Sequence, residues 1–341
     1  MKAIVVYQYG SPETLEFCNI PVPEPHPHEV LVQNHFIGVN FVDTQHRAGQ
    51  YYVVPLPLIP GTEAAGMVAT IGSEVTDFQV GDRVAYAGYM GGNYAEYTCV
   101  PQGRLVSVPD TISLEQAAAC LLQGLTAYVF THRVFALKAG DTALIHAAAG
   151  GVGLLLVQMA KQLGATVIGT TSSEQKALIA RQAGVDHIII YTQADFVDAT
   201  MQFTNQQGVS VVYDGVGGTA FEKNLDVLQS CGYLVLFGQA NGQPAPLDIS
   251  RLSGITGSKN RGSLFVTWAS SNDYLTTTEQ LRTCAQAVFS AIQHDQLHLH
   301  ITSVFPLEQA RQAHILLESR ATTGKLLLQV KGKEPERVHY S

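Results

Sequence analysis

The stretch that decides the fold is residues 142–171, TALIHAAAGGVGLLLVQMAKQLGATVIGTT. An apolar run ends in a glycine-rich turn at 148–153, a helical pattern covers 154–163, and a second apolar run covers 166–170. Strand, glycine turn, helix and strand in this order are typical of the first unit of a dinucleotide-binding fold. The stretch therefore predicts a nucleotide site far from the amino terminus, with another domain before it.

The turn has the spacing Ala148-x-Gly150-x-x-Gly153, with alanine where the first glycine usually stands. Alanine is tolerable there if the turn needs no positive φ. Gly150 allows a pyrophosphate to approach the backbone, and Gly153 allows the helix to pack closely on the strand. The helix N-terminus offers N–H groups and partial positive charge to phosphates. A turn without a ligand is the alternative, but the flanking strands and helix favour nucleotide binding.

The end of the second strand indicates which nucleotide is bound. NAD-binding proteins usually place a carboxylate there to bind the ribose 2′-hydroxyl. Here that strand ends in Thr-Thr-Ser-Ser, and Glu174 falls in the next helix, where it suits a capping box. Ser172, Ser173 and Lys176 suit a 2′-phosphate instead, although Lys176 also fits an exposed helix face. The missing acid favours NADPH over NADH.

Composition narrows the class of protein. A chain of 341 residues is long for one domain, so we expect two. The net charge of −8 argues against nucleic acid or an anionic membrane as partner. No apolar run reaches the length of a membrane span, and the first ten residues do not resemble a signal peptide. Five scattered cysteines suit the reducing cytoplasm, where we expect the protein.

The order of predicted elements indicates two domains of different class. The first 120 residues carry short strand-like runs, at 2–7, 30–36, 62–68, 82–86, 94–100 and 104–108, before helical spacing over 109–131. From residue 141 strands and helices alternate, which predicts a parallel sheet of six strands at 142–147, 166–171, 187–190, 209–214, 233–237 and 263–267. A helix at 274–294, a strand at 301–305, a helix at 307–318 and a strand at 324–330 follow. We expect the cofactor in the cleft between the two domains.

Seven ordered motifs connect the chain with a known family. They are GVNFVDT at 38–44, GTEAAG at 61–66, GDRV at 81–84, GLTAY at 124–128, HAAAGGVG at 146–153, YDGVG at 213–217 and ESRAT at 318–322. Through them, over about residues 1–330, the chain resembles the medium-chain dehydrogenase/reductase superfamily. Within it, the chain resembles the zinc-independent NADPH quinone oxidoreductases of the zeta-crystallin type.

The resemblance implies an α/β fold: a Rossmann domain with a doubly wound parallel sheet, plus a GroES-like catalytic domain of β-barrel type. The implied boundaries are 1–122 for the GroES-like domain, completed by 268–330, and 123–267 for the Rossmann domain. Residues 331–341 are expected to be a polar tail. Relatives pair the edges of their nucleotide-binding sheets, so we expect a homodimer with the strand at 263–267 at the interface.

The metal ligands of zinc-dependent relatives have no counterpart here. Those relatives carry a Gly-His-Glu motif and an early cysteine, whereas this chain has Gly61-Thr62-Glu63 and no cysteine within 38–43. The four-cysteine lobe that holds structural zinc is also missing. We therefore expect no metal, and an acceptor that is already electron-poor. A quinone is the first choice, with hydride passing from the nicotinamide C4 and the protein supplying orientation.

The resemblance also implies positions around the cofactor and the substrate. The nicotinamide end of the cleft is expected to be lined by Asn40, Phe41, Val42, Asp43, Thr44, Thr126, Tyr128, Phe237, Gly238, Phe265 and Val266. The pyrophosphate is expected to meet the turn at Gly150, Gly151, Val152 and Gly153. The adenine ribose and its 2′-phosphate are expected to meet Ser172, Ser173, Lys176, Tyr191 and Arg320. The substrate-cleft candidates are Asn40, Asp43, Gln45, Tyr51 and Tyr52. Alternatives stay open: Asn40 and Asp43 also suit a turn held by side-chain hydrogen bonds, and the apolar residues suit plain strand core.

Three residues depart from the family pattern and bear on specificity. Gln45 stands where tyrosine is frequent and Gln123 where lysine is frequent, and both put the substrate preference in doubt more than the cofactor. Gly215 replaces a frequent serine and removes a possible hydrogen bond to the cofactor. An NADPH-dependent enone or enoyl (2-alkenal) reductase is therefore the second interpretation. A non-catalytic NADPH-binding protein of the crystallin type is the third, and the acidic composition disfavours RNA binding.

Overall fold

The computed structural model describes residues 1–50, 55–89, 91–254 and 262–330, which fall into two compact units. The first unit contains residues 1–122 and the chain from Ile301 onward, and the second contains residues 123–300. The two compact units therefore separate between residues 122 and 123. Tyr51, Tyr52 and the predicted tail at 331–341 lie outside the described residues.

The first unit is mainly β. Its elements are β1 (Lys2–Val5), β2 (Glu16–Asn19), β3 (Glu29–Val39), α1 (Phe41–Ala48), β4 (Glu63–Ile71), β5 (Arg83–Ala87), β6 (Tyr97–Pro101), β7 (Val106–Ser107) and α2 (Leu114–Val129), which continues into the second unit. Later in the chain this unit is completed by β14 (Ile301–Pro306), α9 (Ala310–Glu318) and β15 (Lys325–Gln329).

The long strand β3 organises the first unit. Its sheet has the order β14-β15-β3-β4-β5-β7, with β6 also paired to β3. The first half of β3 pairs with β6 and the second half with β15, while β4 runs along the other edge. Eight of the eleven residues of β3 are buried, so both faces of this strand are largely covered. The core below it contains Val32, Ile37 and Leu328.

The second unit alternates strands and helices. Its elements are β8 (Thr142–Ile145), α3 (Gly151–Gln162), β9 (Thr166–Thr171), α4 (Glu174–Gln182), β10 (His187–Ile190), α5 (Phe196–Phe203), β11 (Val209–Asp214), α6 (Ala220–Asn224), β12 (Leu228–Leu236), β13 (Phe265–Trp268), α7 (Ser271–Tyr274) and α8 (Thr278–Gln293). The six strands form one parallel sheet, so that prediction is confirmed.

The strand order of this sheet is β10-β9-β8-β11-β12-β13. The chain starts at the centre with β8, moves outward to β10, and then returns to build the other half from β11. A doubly wound sheet of this kind binds its ligand outside the carboxyl ends of the strands, where the order reverses. The reversal lies between β8 and β11, and β8 is the strand that leads into the glycine turn.

The segment 268–300 belongs to the second unit. The resemblance implies instead that residues 268–330 complete the first domain. The contacts of 268–300 explain its place in the second unit. An ideal Cβ built on Gly124 would lie 2.6 Å from Val288 Cγ1, so α8 packs closely on the last part of α2. The backbone of His298 also exchanges hydrogen bonds of 2.8 and 3.1 Å with the Gln158 side chain on α3.

The helices of the described residues share one further property. None of them combines the length and the apolar character that a membrane crossing requires.

Candidate functional site

The glycine turn connects β8 to α3 in the second unit. Gly150 precedes the helix with φ −78°, and α3 begins at Gly151. The left-handed residue of the turn is Ala147, with φ +50°, and not Ala148. Alanine at 148 is therefore tolerated because its position needs no positive φ, as the sequence argument required. The backbone strain of the turn lies at Ala147, where the left-handed conformation costs about 1–2 kcal/mol.

Gly153 is a close approach of backbone to backbone. An ideal Cβ at this position would lie 2.3 Å from the Ala147 carbonyl oxygen and 3.0 Å from Ala148 Cα. No side chain fits there, and the first turn of α3 therefore lies directly against the end of the preceding strand. The N–H groups of that first turn have no partner within the helix, which makes its N-terminus an anion-binding position.

Gln123 also belongs to this turn. An ideal Cβ on Gly151 would lie 2.1 Å from Gln123 Nε2 and 2.5 Å from its Cδ and Oε1. The amide of Gln123 thus occupies the space of the side chain that Gly151 lacks. The structure thus brings Gln123 to the turn at the start of α3, and its connection with the substrate preference stays a prediction.

A chain of buried hydrogen bonds holds the carboxyl edge of the sheet. Thr170 Oγ1 lies 3.0 Å from His146 Nδ1, and His146 Nε2 lies 2.7 Å from Asn224 Oδ1. Asn224 Nδ2 donates to Asp214 Oδ2 at 2.8 Å, and Asp214 Oδ1 accepts from the backbone N–H of Val216. Since a carboxylate only accepts, the Asn224 amide has one orientation and His146 donates through Nε2.

The loop after β12 packs on the loop after β11. An ideal Cβ on Gly215 would lie 2.7 Å from Phe237 Cε2, so glycine leaves room for the phenylalanine ring. A serine there would displace that ring from the position it has in this structure. Gly238 contacts the Gly215 carbonyl closely in the same way. Beside it, Gln239 Oε1 is buried without a hydrogen-bond partner among the described residues.

Four residues predicted for the 2′-phosphate lie together at the ends of β9 and β10. Ser173 precedes α4, and its Oγ accepts from the Lys176 backbone N–H at 3.4 Å. The Ser172 carbonyl accepts from Thr192 Oγ1, next to the half-exposed Tyr191. Burial lowers the pKa of Lys176. The group offers hydroxyls and one ammonium to an anion at this edge of the sheet.

The remaining nicotinamide candidates of the second unit lie on α2 and β13. Thr126 and Tyr128 are partly exposed, and the Tyr128 ring stacks on His132 with centroids 4.1 Å apart. Phe265 and Val266 begin the outermost strand β13, where the Phe265 ring stacks on Tyr233.

In the first unit, α1 carries the predicted run from Asn40 to Gln45. Phe41, Val42 and Gln45 are partly exposed, whereas Asp43 and Thr44 are buried. Helical spacing therefore separates an outward face that can meet a ligand from an inward face that anchors the helix.

The Asn40 side chain is fixed in one orientation. Its Oδ1 accepts from Lys325 Nζ at 2.8 Å, and its Nδ2 donates to Glu63 Oε2 at 3.2 Å. An ammonium only donates and a carboxylate only accepts, so the amide cannot flip. Glu63 and Lys325 themselves form a buried ion pair at 2.5 Å. Breaking one partner of such a pair typically costs about 3–5 kcal/mol.

Asp43 anchors α1 through three donors. Its carboxylate accepts from the Asn40 backbone N–H at 2.8 Å, from Thr62 Oγ1 at 2.9 Å and from the Tyr94 hydroxyl at 3.2 Å. Burial raises the pKa of Asp43 to about 7, while the three hydrogen bonds act in the opposite direction. Because all three partners donate, the hydrogen-bond pattern is that of the ionised carboxylate.

The hydrogen-bond chain continues from Tyr94 to the surface. The Tyr94 hydroxyl lies 2.9 Å from His314 Nε2, and Arg47 Nη1 lies 3.2 Å from His314 Nδ1. Arg47 also forms an ion pair of 2.6 Å with the partly exposed Glu318. Since guanidinium only donates, His314 accepts at Nδ1 and donates through Nε2 to Tyr94. Burial, and then the Arg47 charge, lower the pKa of His314 to about 3, so the ring stays neutral.

The positions of the zinc-dependent motif are thus engaged in other contacts, Thr62 with Asp43 and Glu63 with Lys325. Glu63 Oε1 accepts in addition from the Leu122 backbone N–H at 2.6 Å. Within the described ranges, no three histidine, cysteine, aspartate or glutamate side chains are grouped as metal ligands would be.

Arg320 follows α9 in the first unit. It is exposed, and its φ of +56° is the left-handed conformation common just after a helix. The other 2′-phosphate candidates belong to the second unit, so their joint action with Arg320 stays a prediction.

Sequence reasoning missed the buried residues whose hydrogen bonds and ion pairs hold the candidate site residues and their loops in place. They are Arg47, Glu63, Tyr94, His146, Asn224, His314 and Lys325. One of them carried a usable signal. Lys325 opens the apolar run KLLLQV, and a lysine buried in a core strand requires an anionic partner. The others bond to partners that are 10 to 271 residues away in the chain, and no spacing pattern connects them.

Comparison with known proteins agrees with both units. The family model described as "Alcohol dehydrogenase GroES-like domain" matches residues 26–110, and the model described as "Zinc-binding dehydrogenase" matches residues 151–282. The chain is 42% identical to a quinone oxidoreductase of Pseudomonas aeruginosa over 96% of its own length and 99% of the relative.

Two further relatives are informative. A 2-haloacrylate reductase of Burkholderia sp is 37% identical, covering 96% of this chain and 98% of the relative. The crystal structure of Escherichia coli quinone oxidoreductase complexed with NADPH superposes with a TM-score of 0.92 at 38% identity, covering 96% of this chain and all of that one.

Proposed function

Since the chain belongs to the quinone oxidoreductase family of medium-chain dehydrogenases and reductases, we propose that it transfers a hydride from NADPH to an electron-poor quinone. One observation carries the proposal. The glycine turn opens α3 at the carboxyl edge of a doubly wound sheet, in a chain 42% identical to a quinone oxidoreductase over 96% of its length.

The pyrophosphate is assigned to Gly150, Gly151, Val152 and Gly153, where the first N–H groups of α3 have no partner within the helix. The 2′-phosphate is assigned to Ser172, Ser173, Lys176 and Tyr191, with Arg320 as a further cation. The absence of a carboxylate at the end of β9 supports NADPH over NADH. Two structural relatives were solved in complex with NADPH, which supports the same choice.

The residues present fit a nicotinamide at the ends of β11 and β12. Gln239 Oε1 is a buried acceptor that no described residue satisfies, and such an atom costs about 1–3 kcal/mol when it is left without a donor. Phe237 and Gly238 provide an apolar wall beside it. When bound, NADPH supplies the hydride from C4 of its nicotinamide.

The acceptor site is assigned to the outward face of α1. Gln45 presents a partly exposed amide on this face, and its N–H can donate to a quinone oxygen and orient it. Asn40, at the start of α1, is buried and held by Lys325, Glu63 and the Gly38 carbonyl. Because both of its N–H groups already donate, Asn40 positions the helix beside the acceptor. A quinone is itself electron-poor, so it accepts hydride without a further cation. Tyr51 and Tyr52 stay candidates for the same site.

A reductase of activated alkenes is the second candidate. The 37% identity to a 2-haloacrylate reductase supports it, since that relative matches this chain over nearly its whole length. Conjugated alkenes and quinones both accept hydride at an electron-poor carbon or oxygen, and the same fold serves both reactions.

The two candidates are separated by turnover of a quinone series, a 2-alkenal and a 2-haloacrylate under identical NADPH concentrations. We expect quinones to give the highest kcat/KM. Exclusive reduction of the alkenes overturns the quinone assignment in favour of the second candidate. Tight NADPH binding without turnover of any acceptor overturns both and favours a non-catalytic NADPH-binding protein.

We also propose a homodimer formed through β13. This strand is the outermost of its sheet, so one of its edges has no strand partner among the described residues. It carries the half-exposed aromatic side chains Phe265 and Trp268. An unpaired edge with exposed aromatic residues is a ready template for pairing with a second chain.

The cytoplasm is the compartment we propose. All five cysteines have free thiols, including the exposed Cys231 and the buried Cys120 and Cys284. Burial raises the pKa of both buried thiols, so they are inert in the core. Free thiols are usual in a reducing environment.

A further inference from the structure

The start of α3 carries a side chain that no motif assigns to the cofactor. Gln123 is only 9% exposed, and its amide lies flat against Gly151, at the first residue of the helix. Gly151 provides that space by lacking a Cβ. The amide is therefore held at the position where the helix offers its free N–H groups.

The Gln123 side chain makes no hydrogen bond to any part of the chain that the structure describes. A largely buried amide without a protein partner leaves its hydrogen bonds to be completed by a ligand or by water. Two independent features, a free helix N-terminus and an unpaired buried amide, thus meet at one place.

We propose that Gln123 is a binding residue for the cofactor diphosphate, donating an amide N–H to a pyrophosphate oxygen beside the N-terminus of α3. The inference rests on the proposed use of NADPH and adds a residue to that site. Among the described residues no hydrogen bond fixes which end of the Gln123 amide faces the helix, so its NH2 group can turn toward an anion. A phosphate oxygen only accepts, and that selects the donating orientation.

This assignment gives the glutamine at position 123 a role in binding the cofactor. A lysine there would add a positive charge to the phosphate site, whereas the amide contributes one uncharged donor. Gln123 is thereby a determinant of cofactor affinity and of its salt dependence rather than of substrate choice.

A pair of opposite charge substitutions tests the proposal. Gln123→Glu and Gln123→Lys are compared with wild type for NADPH binding by isothermal titration calorimetry at several salt concentrations. Gln123→Glu is expected to weaken NADPH at least about tenfold, because it replaces a donor to a charged group with a like charge. Gln123→Lys is expected to bind NADPH more tightly at low salt, with a steeper salt dependence.

Binding of 2′-AMP provides the internal control. This probe carries the 2′-phosphate but no diphosphate, so both variants are expected to bind it like wild type. Gln202→Glu, an exposed change on α5, controls for net charge. Thermal unfolding of the ligand-free variants shows whether each one is folded.

The outcomes are separable. If Gln123→Glu and Gln123→Lys change the NADPH affinity in the same direction, Gln123 acts only by filling space over Gly151 and the inference is overturned. The same holds if the variants weaken 2′-AMP binding as much as NADPH binding. Wild-type affinity for NADPH in Gln123→Glu also overturns it. Failure of the wild-type protein to bind NADPH contradicts the proposed function itself.

Discussion

Buried hydrogen-bond chains with a fixed direction organise both units at the scale of single residues. In each chain a histidine accepts a hydrogen bond at Nδ1 and donates one through Nε2. The last acceptor of each chain is the carboxylate of a buried aspartate. The two chains are Arg47–His314–Tyr94–Asp43 and Thr170–His146–Asn224–Asp214. Because each histidine has one possible tautomer, the loops that these chains hold have one arrangement. The two buried hydrogen-bond chains therefore hold in place the neighbouring groups that face the ligand.

His314 makes stability depend on pH. Its pKa is lowered from 6.5 to about 3 in the folded protein, so between these values the unfolded chain binds a proton that the folded chain does not. Stability contributed by the neutral ring is therefore present above pH 6.5 and lost as pH falls toward 3. We expect the unfolding free energy of wild type to fall relative to His314→Gln by at most about 1.4 kcal/mol per pH unit in this range.

Urea unfolding of both proteins at a series of pH values measures this difference. Asp43 acts in the opposite direction, since its pKa is raised to about 7, but it is present in both proteins. The substitution His26→Gln, at an exposed position, reports the effect of losing a histidine elsewhere. A constant difference between wild type and His314→Gln from pH 7 to pH 4 contradicts the assignment of a neutral buried ring.

At the scale of elements, the connection from β8 to α3 is the tightest piece of backbone in the candidate site. Gly153 lies against the Ala147 carbonyl, and Gly151 lies under the Gln123 amide. Each glycine is thus required by a named neighbour. The glycine pattern in the sequence indicated the turn, and the structure adds what each position contacts.

Gly153→Ala is expected to destabilise the protein by about 1–3 kcal/mol, because the added methyl would lie 2.3 Å from a backbone oxygen that cannot move independently. Gly150→Ala is the matched control. Its φ of −78° suits alanine, and its Cβ would lie 3.1 Å from the same oxygen, so we expect a smaller loss. Chemical denaturation measures both. Equal stability of Gly153→Ala and wild type shows that the turn relaxes and that its geometry is not restrictive.

The order of the elements and their types could be predicted because periodicity and turn residues are local properties of the chain. All six strands of the parallel sheet lie where alternation of strand and helix patterns placed them. The assignment of 268–300 differed because it depends on packing, namely of Val288 on Gly124. Likewise, the anchors of Asn40 and Asp43 could not be predicted, since Lys325 reaches Asn40 across 285 positions of chain.

At the scale of the whole molecule, each unit has its own core and its own candidate residues. The first unit contains α1 and the buried Glu63–Lys325 pair, and the second contains the glycine turn and the edge strand β13. The proposed assembly adds a second copy of the chain at β13.

Trp268→Lys is expected to shift the protein from dimer to monomer, because it replaces a half-exposed indole at the sheet edge with a charge. Light scattering during size-exclusion chromatography measures the mass. Trp268 is the chain's one tryptophan, so wild-type fluorescence should also move to longer wavelength upon dilution. A wild-type protein that is monomeric at all concentrations, or a Trp268→Lys variant that stays dimeric, contradicts an interface at β13.

The central claim is that NADPH gives its hydride to a quinone at this site. Its most direct test is the quinone-dependent oxidation of NADPH and of NADH by the purified protein, with Arg320→Ala and the control Arg311→Ala on the preceding helix α9. We predict turnover of p-benzoquinone with kcat/KM for NADPH at least about tenfold above that for NADH. That preference should be reduced in Arg320→Ala and kept in Arg311→Ala. Bound NADPH that is not oxidised by any quinone, or equal use of NADPH and NADH, would contradict the account.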